Sequence, residues 1–173
     1  MTIERLAALL PPPAARRDIA PDWTAIETTL GTPLPADYRA FVDRYGAGRI
    51  AGFLWIFVPD APAETIDLAV QSEAQAEVLD DLKASGETIE ERAFPAPGGL
   101  LPAGMSDNGD VIHWRTVGAP DAWTIVVQEA RGPVFVAHDT DLTGFLVGVL
   151  DGSIRCPAFP DDFPPDRLDF ELA

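Results

Sequence analysis

Leu30-Gly-Thr-Pro-Leu-Pro-Ala-Asp-Tyr-Arg-Ala-Phe-Val-Asp-Arg-Tyr-Gly-Ala-Gly-Arg-Ile-Ala-Gly-Phe-Leu-Trp-Ile-Phe-Val-Pro59 is the stretch whose reading decides the fold. Leu34, Tyr38, Phe41, Val42 and Tyr45 recur at spacings of three and four, which is one apolar face of a helix. Pro35 suits its first turn, where a missing N–H costs nothing. Gly46 to Gly48 stop it with residues that tolerate positive φ. Phe53 to Val58 is a continuous apolar run, rich in aromatic and β-branched residues. It predicts a strand buried on both faces, ended by Pro59. Burying the five helix-face side chains is worth about 2 kcal/mol each, about 10 kcal/mol before chain entropy is charged. The stretch is a core nucleus and holds no catalytic constellation.

Upstream, Ile3, Leu6, Leu9 and Leu10 predict a short amphipathic helix broken by Pro11 to Pro13. Asp22 is the N-cap of a second helix whose inner face is Trp23, Ile26 and Leu30, closed by Gly31. Arg16, Arg17, Arg39 and Arg44 are expected to pair locally with Asp18, Asp22, Asp37 and Asp43. Downstream, residues 63–84 predict a longer helix, after an extended piece at Thr65 to Leu68. Val70, Ala74, Val78 and Leu82 face in, and Glu73, Glu77, Asp80 and Asp81 face solvent. Residues 86–99 form a long loop, and long loops are often functional.

From Leu100 the period changes to two. Strands are expected at 100–106, 111–116, 123–128 and 134–137, joined by turns at Asp107-Asn-Gly-Asp110, Gly118 to Asp121 and Arg131-Gly-Pro133. His113 is read as a surface residue on the outward face of its strand, opposite Ile112 and Trp114. Asp139 or Thr140 caps a last helix with Leu142, Phe145, Leu146, Val149 and Leu150 facing in. The remainder, 152–173, lies over the surface, anchored by Phe159 and Phe163, and Leu168 to Leu172 adds an edge strand. The expected class is α+β, one domain over 1–173: an antiparallel sheet of about four to six strands with N-terminal, middle and C-terminal helices.

The 173 residues are 47% hydrophobic and 23% charged, an ordinary globular composition. No apolar run approaches the roughly 18 residues of a membrane span. The amino terminus lacks the basic start of a secretory signal, and the lone Cys156 forms no internal disulfide. The expectation is a cytoplasmic protein, a monomer or weak homo-oligomer, with no membrane partner. The net charge of −16 is uneven. Residues 1–50 carry six acids and six bases, whereas 51–100 carry ten acids and two bases. Phosphate binding needs clustered Lys and Arg, so nucleic acid is not an expected partner. Such an acid excess either aids solubility or steers basic partners.

No constellation of reactive groups is legible. His113, His138 and Cys156 lack zinc-ligand spacing, and Asp107 to Asp110 reads as a hairpin turn, not a calcium loop. There is no Gly-x-Ser-x-Gly, Gly-x-Gly-x-x-Gly or Walker motif. No catalytic residue, metal or cofactor is expected. Trp55 and Trp114 are read as core. Trp123, at a strand start after Asp121, is the best candidate for a partly exposed binding aromatic, although packing is the commoner fate of tryptophan.

The pattern Ile-Glu-x-x-Leu-Gly-x-x-Leu-Pro-x-Asp-Tyr-Arg-x-Phe at Ile26 to Phe41, followed by Tyr45-Gly46, resembles the signature of the SUKH superfamily. This group unites bacterial immunity proteins with a yeast cell-wall synthesis regulator. Leu100-Leu-Pro-Ala-Gly, Asp107-Asn-Gly-Asp-x-x-x-Trp114 and Phe145-Leu-x-x-x-Leu-x-Gly continue the resemblance, from about residue 19 to 163. Tyr45-Gly-Ala-Gly departs from the Asn-Gly-Gly turn of many members. The resemblance implies a non-enzymatic α+β domain with Ile26, Leu30, Leu34, Tyr38 and Phe41 in its core. In the bacterial branch it also implies a cognate toxin as partner. The surface expected to meet it comprises Asp60, Glu73, Glu77, Asp80, Asp81, Glu87, Glu90 and Glu91, with Asp121 and Trp123. The other reading is a regulatory or scaffolding module with an endogenous partner.

Overall fold

A computed structural model describes residues 2–14 and 20–173, so Arg16, Arg17 and Asp18 lie outside the described residues. The helices are α1 (Thr2–Leu9), α2 (Trp23–Leu30), α3 (Ala36–Tyr45), α4 (Leu68–Ala84) and α5 (Leu142–Asp151). The strands are β1 (Gly48–Ile50), β2 (Leu54–Ile56), β3 (Leu100–Ser106), β4 (Val111–Arg115), β5 (Thr124–Gln128), β6 (Phe135–His138) and β7 (Phe170–Leu172). They form one antiparallel sheet in the order β6-β5-β4-β3-β2-β1-β7. The α+β class holds, with seven strands where up to six were expected.

The extra strand comes from the opening stretch. Its predicted six-residue strand is a three-residue one, β2, that pairs back on β1 through a turn at Ala51 and Gly52. Ala51 takes φ 49° and Gly52 φ 63°, so both turn residues sit in the left-handed region. Three-residue strands are too short to show a period of two. Burial along Phe53 to Val58 alternates at first, with Phe53 and Trp55 half-buried and Leu54 and Ile56 buried.

The helix of that stretch is as expected. Leu34, Tyr38, Phe41, Val42 and Tyr45 are all buried. Pro35 sits at the N-cap, one position before the first turn, and Gly46 takes φ 70° at the C-cap. The Tyr38 hydroxyl donates to the Phe57 carbonyl at 2.8 Å and Tyr45 to the Leu10 carbonyl at 2.7 Å. Each buried phenol therefore ties α3 to a different segment. Burial is the main reason the Tyr45 phenol is pushed up to about 12.

Helices α1, α3 and α5 cover one sheet face, onto which Ile112, Trp114, Ile125 and Val127 project. Asp141, rather than Asp139 or Thr140, caps α5 and accepts from the Gly144 amide at 2.7 Å. Trp23, Ile26 and Leu30 are half-buried against this core, so α2 packs by its expected face but from outside. Phe159 is buried and Phe163 half-buried; together with Phe53 they clamp the carboxyl-terminal segment. Strand β7 then pairs with β1 as an edge strand.

Two of the glycines required by close approach lie in the sheet, Gly48 and Gly104. A Cβ on Gly48 would stand 2.4 Å from the Glu171 carbonyl oxygen and 2.5 Å from the Phe170 ring. We expect Gly48→Ala to detach β7 while the main core stays folded. Hydrogen exchange checks this: the Ala51 and Ala173 amides, bonded to Asp169 and Ala47, lose protection selectively. Gly104 likewise admits the Trp55 carbonyl, 2.4 Å from where its Cβ would be, at the irregularity in the β3–β4 ladder.

The other sheet face corrects two expectations. Helix α4 lies there, with Leu79 packed on Leu100 and Val126. Its buried stripe runs from Leu68 to Leu79, while Val70 and Val78 are both 41% exposed. A strict spacing of four drifts about 40° per step around a helix of 3.6 residues per turn. Hence the Val70-Ala74-Val78-Leu82 row winds off the buried face and meets it only near Leu82. A single turn of 3-10 helix, Glu64–Ile66, replaces the extended piece before α4. His113 is not at the surface: it is 0% exposed, on the side of the sheet that α4 covers.

The arginines also pair differently. Arg39 pairs with Glu27 and Arg44 with Glu4, both on other helices, and not with the neighbouring aspartates. Asp22 instead caps α2, accepting from Ala25. Glu27 accepts in addition from the Leu34 amide at 2.8 Å, tying the end of α2 to the start of α3. Removing this carboxylate should lower stability by about 1–3 kcal/mol, because the buried Leu34 amide loses its acceptor. Urea unfolding of Glu27→Ala measures it.

Candidate protein-binding surface

The acidic face is built by α4. Asp67 starts the helix by accepting from the Ala69 and Val70 amides at 3.0 and 3.1 Å. With Leu68 and Leu79 turned to the sheet, Glu73, Glu77, Asp80 and Asp81 emerge on the opposite side. Their spacings of four, seven and eight place them on one helix face. All four are exposed, and none makes an ion pair among the described residues. Glu87 and Glu90 are exposed in the loop that follows.

Asp80 and Asp81 stand near the carboxyl end of α4, where the helix dipole disfavours negative charge. The charge placement therefore opposes helix stability rather than serving it. Asp60 is exposed, at φ 51°, and lines a pocket with Asp67, Leu68 and Ala69 at the amino end of the same helix.

Three predicted site residues stand apart from this face. Glu91 is half-buried and accepts from Arg115 at 2.8 Å, so its charge is answered within the fold. Asp121 is exposed but lies on the other side of the sheet, where its Oδ1 accepts from the Ala36 amide at 2.8 Å. Trp123 is only 5% exposed and offers no binding aromatic. Its ring lies 6.3 Å from Trp114, and its Nε1 donates to the Gly118 carbonyl at 3.3 Å. The turn of 3-10 helix at Pro120–Ala122 folds the indole under the sheet edge, which alternation alone does not reveal.

Trp55, expected in the core, is half-exposed. The sheet face covered by α4 near β3 to β6 is open over β1 and β2. Here Arg49, Trp55 and Met105 form a cross-strand row. The Trp55 Nε1 donates to Asp107 Oδ1 at 2.8 Å, Arg49 pairs with the same carboxylate, and its guanidinium lies 6.0 Å from the ring centroid. A groove of about 500 Å³ runs beside them, lined also by Ile66 and Asn108. The run Phe53 to Val58 hides this surface in the sequence, because its length suggests two buried faces.

The reactive side chains are sequestered. Cys156 is buried, which pushes its thiol up to about 11, away from an activated thiolate. His113 Nε2 donates to Gln128 Oε1 at 3.1 Å, and Nδ1 has no partner among the described residues.

The family model described as SMI1-KNR4 cell-wall, SUKH_6, matches residues 21–146, well over half of the chain. The chain belongs to the SUKH family. The match stops short of the wider span read from the sequence: the second half of α5 and the carboxyl-terminal segment lie beyond it. Comparison with curated proteins and with solved structures gives no match. Within the SUKH match, the residues of the opening motif are structural here. Glu27 and Arg39 pair, Gly31 takes φ 75° at the α2 C-cap, and Tyr38 and Phe41 fill the core. Among the described residues, no helix is long and apolar enough to cross a membrane.

Proposed function

We propose that this SUKH protein is an immunity protein that binds and neutralises a cognate bacterial toxin domain carrying a basic surface, a nuclease being the fitting class. The contact surface is the solvent face of α4 with the following loop: Glu73, Glu77, Asp80, Asp81, Glu87 and Glu90. One observation carries the reading. Four unpaired carboxylates share one helix face, two of them where the helix dipole opposes them. Local rules broken without structural gain mark functional positions. Such a charged face raises the association rate with a basic partner and fixes its orientation. The role is non-catalytic, and the cytoplasm, where a toxin reaching the cell would act, is the setting.

Two measurements test this. Co-expression with a toxin encoded beside the gene should restore growth; well-folded protein without rescue contradicts the proposal. The double variant Asp80→Lys, Asp81→Lys should separate binding from stability. Its association rate should fall about tenfold or more at low salt. Its folding stability should hold or rise by about 0.5 kcal/mol, because lysine suits the helix carboxyl end. An unchanged association rate overturns the assignment to α4.

The second reading is an endogenous regulatory or scaffolding module. The cell-wall description of the matching family favours it. Capture of a resident cell-wall or signalling protein, with no toxin gene nearby, would select it.

A further inference from the structure

The groove of about 500 Å³ beside Trp55 lies on the same side of the sheet as α4. Pairing sets Glu171, Arg49, Trp55 and Met105 side by side across β7, β1, β2 and β3, so all four share that face. Thr65 and Ile66, from the 3-10 turn at Glu64–Ile66, line the groove as well. That turn leads through Asp67 into α4. The groove therefore adjoins the amino end of the helix that carries the acidic face.

Its polar lining is already paired. Trp55 Nε1 and Arg49 both donate to Asp107, and the Ser106 hydroxyl donates to Asp110 at 2.6 Å. What remains for a ligand is chiefly apolar: the Trp55 ring, Met105, Ile66 and Ala63. Sites for small molecules orient them with a few free polar groups. An apolar seat with charge at its rim is instead the form of a protein hot spot. The rim here is acidic. Glu64 stands beside Thr65 on one side, and Glu171 lies two strands from Trp55, about 10 Å away, on the other. Both are exposed, and neither makes an ion pair among the described residues. The lining holds no lysine or arginine, and Arg49 is committed to Asp107, so an anionic ligand has nothing to meet it.

A second copy of the chain is the wrong occupant. The open face spans β7, β1 and β2, each three residues long. That is about 10 Å by 14 Å, far below the about 800 Å² per partner of a stable dimer. Two chains of charge −16 also repel each other. The area fits one side of a single segment.

We propose that this groove seats one aromatic side chain of a polypeptide segment that carries lysine or arginine on both sides of it. The ring packs against Trp55 and Met105, both of which favour aromatic neighbours. The flanking cations meet Glu64 and Glu171. The proposal rests on the partner reading above for the source of the segment. It gives a partner held along α4 an apolar anchor beside that helix's amino end.

The test uses a peptide in place of a toxin. The full chain, labelled with nitrogen-15, is titrated with N-acetyl-lysyl-phenylalanyl-lysine amide, and the four indole N–H resonances are followed after assignment. A saturable shift of the Trp55 resonance is expected at about millimolar concentration. The analogue with alanine in place of phenylalanine should bind about tenfold more weakly, having lost the ring. The analogue with glutamate in place of both lysines should bind about tenfold more weakly too, because its charges oppose the rim. The double variant Glu64→Gln, Glu171→Gln changes surface side chains only, and should weaken the lysine peptide about threefold with folding intact. No saturable shift of Trp55, or equal binding of the alanine analogue, overturns the proposal. Equal binding of the glutamate analogue overturns the choice of a basic segment. N-acetyl-phenylalanine amide binding as tightly as the tripeptide assigns the groove to a small apolar molecule and overturns the polypeptide reading. A failed toxin rescue leaves these titrations standing, and a silent Trp55 leaves the Asp80 and Asp81 test standing, so the two proposals fall separately.

Discussion

Tyr38→Ala is expected to lower folding stability by about 4 kcal/mol or more, a large fraction of what a single domain possesses. Tyr38 is fully buried on α3, edge-on to Trp23 at 6.0 Å and to Trp114 at 4.9 Å. The ring therefore joins α2, α3 and the sheet in one contact. Removing it opens a cavity where three elements meet, and no single element can collapse into it. It also strips the Phe57 carbonyl of the hydroxyl that donates to it at 2.8 Å. Tyr38→Phe separates the two effects. The ring stays, the carbonyl is orphaned, and the loss should be about 1–2 kcal/mol. Urea unfolding followed by tryptophan fluorescence measures both. A Tyr38→Ala loss below that of Tyr38→Phe would show that the ring is not the keystone described here.

The sequence makes that helix legible because every level agrees over Leu34 to Tyr45. The apolar spacing, the Pro35 start and the Gly46 stop describe one helix, and the structure buries each residue of its face. The Asp107-Asn-Gly-Asp110 turn and the β3-to-β6 meander are legible for the same reason: turn chemistry and alternation coincide. What escapes the sequence depends on contacts between distant segments. Alternation places His113 on the face opposite Trp114, correctly, but cannot say that α4 returns to cover that face. Trp55, expected in the core, is half-exposed because one half of the sheet is open, whereas Trp123, the candidate binding aromatic, packs as tryptophans more often do, tucked in by a 3-10 turn. The partners of Arg39 and Arg44 lie 12 and 40 residues away, beyond any local charge pattern.

The acidic face was legible residue by residue, though not its grouping. Glu73, Glu77, Asp80 and Asp81 are together on α4. Glu91 is tied to Arg115, and Asp121 lies across the sheet. The charge of −16 is therefore not one patch. Part of it lies on the solvent face of α4, and part of it, as at Asp121 and Asp141, caps helix amino termini on the other side of the sheet. On the proposed partner reading, attraction to the exposed helix face weakens with salt.

The covered histidine leads to the second large effect, an acid-sensitive loss of stability. His113 lies beneath α4 beside its cross-strand partners Pro102 and Val126, and its Nε2 meets Gln128 Oε1 at 3.1 Å. The amide oxygen can only accept, so Nε2 carries the hydrogen and Nδ1 is the bare acceptor. Nδ1 has no partner among the described residues, so a proton added there would be buried without an acceptor. Burial accordingly lowers the imidazole from 6.5 to about 4, with the Gln128 bond opposing weakly. The unfolded chain then binds the extra proton at a higher pH than the folded one. The stabilising contribution is complete above pH 6.5, falls as pH drops toward 4, and is gone below that. The size is about 3 kcal/mol across the window. Burial lowers His138 as well, which adds in the same direction, whereas the raised Asp37 carboxyl opposes it at the acid end. The double variant His113→Leu, Gln128→Leu removes both polar partners and avoids stranding either. Its stability should lack most of the decline between pH 6.5 and 4 that the parent shows. Equal declines in the two proteins would mean that the carboxylates, not His113, govern acid unfolding.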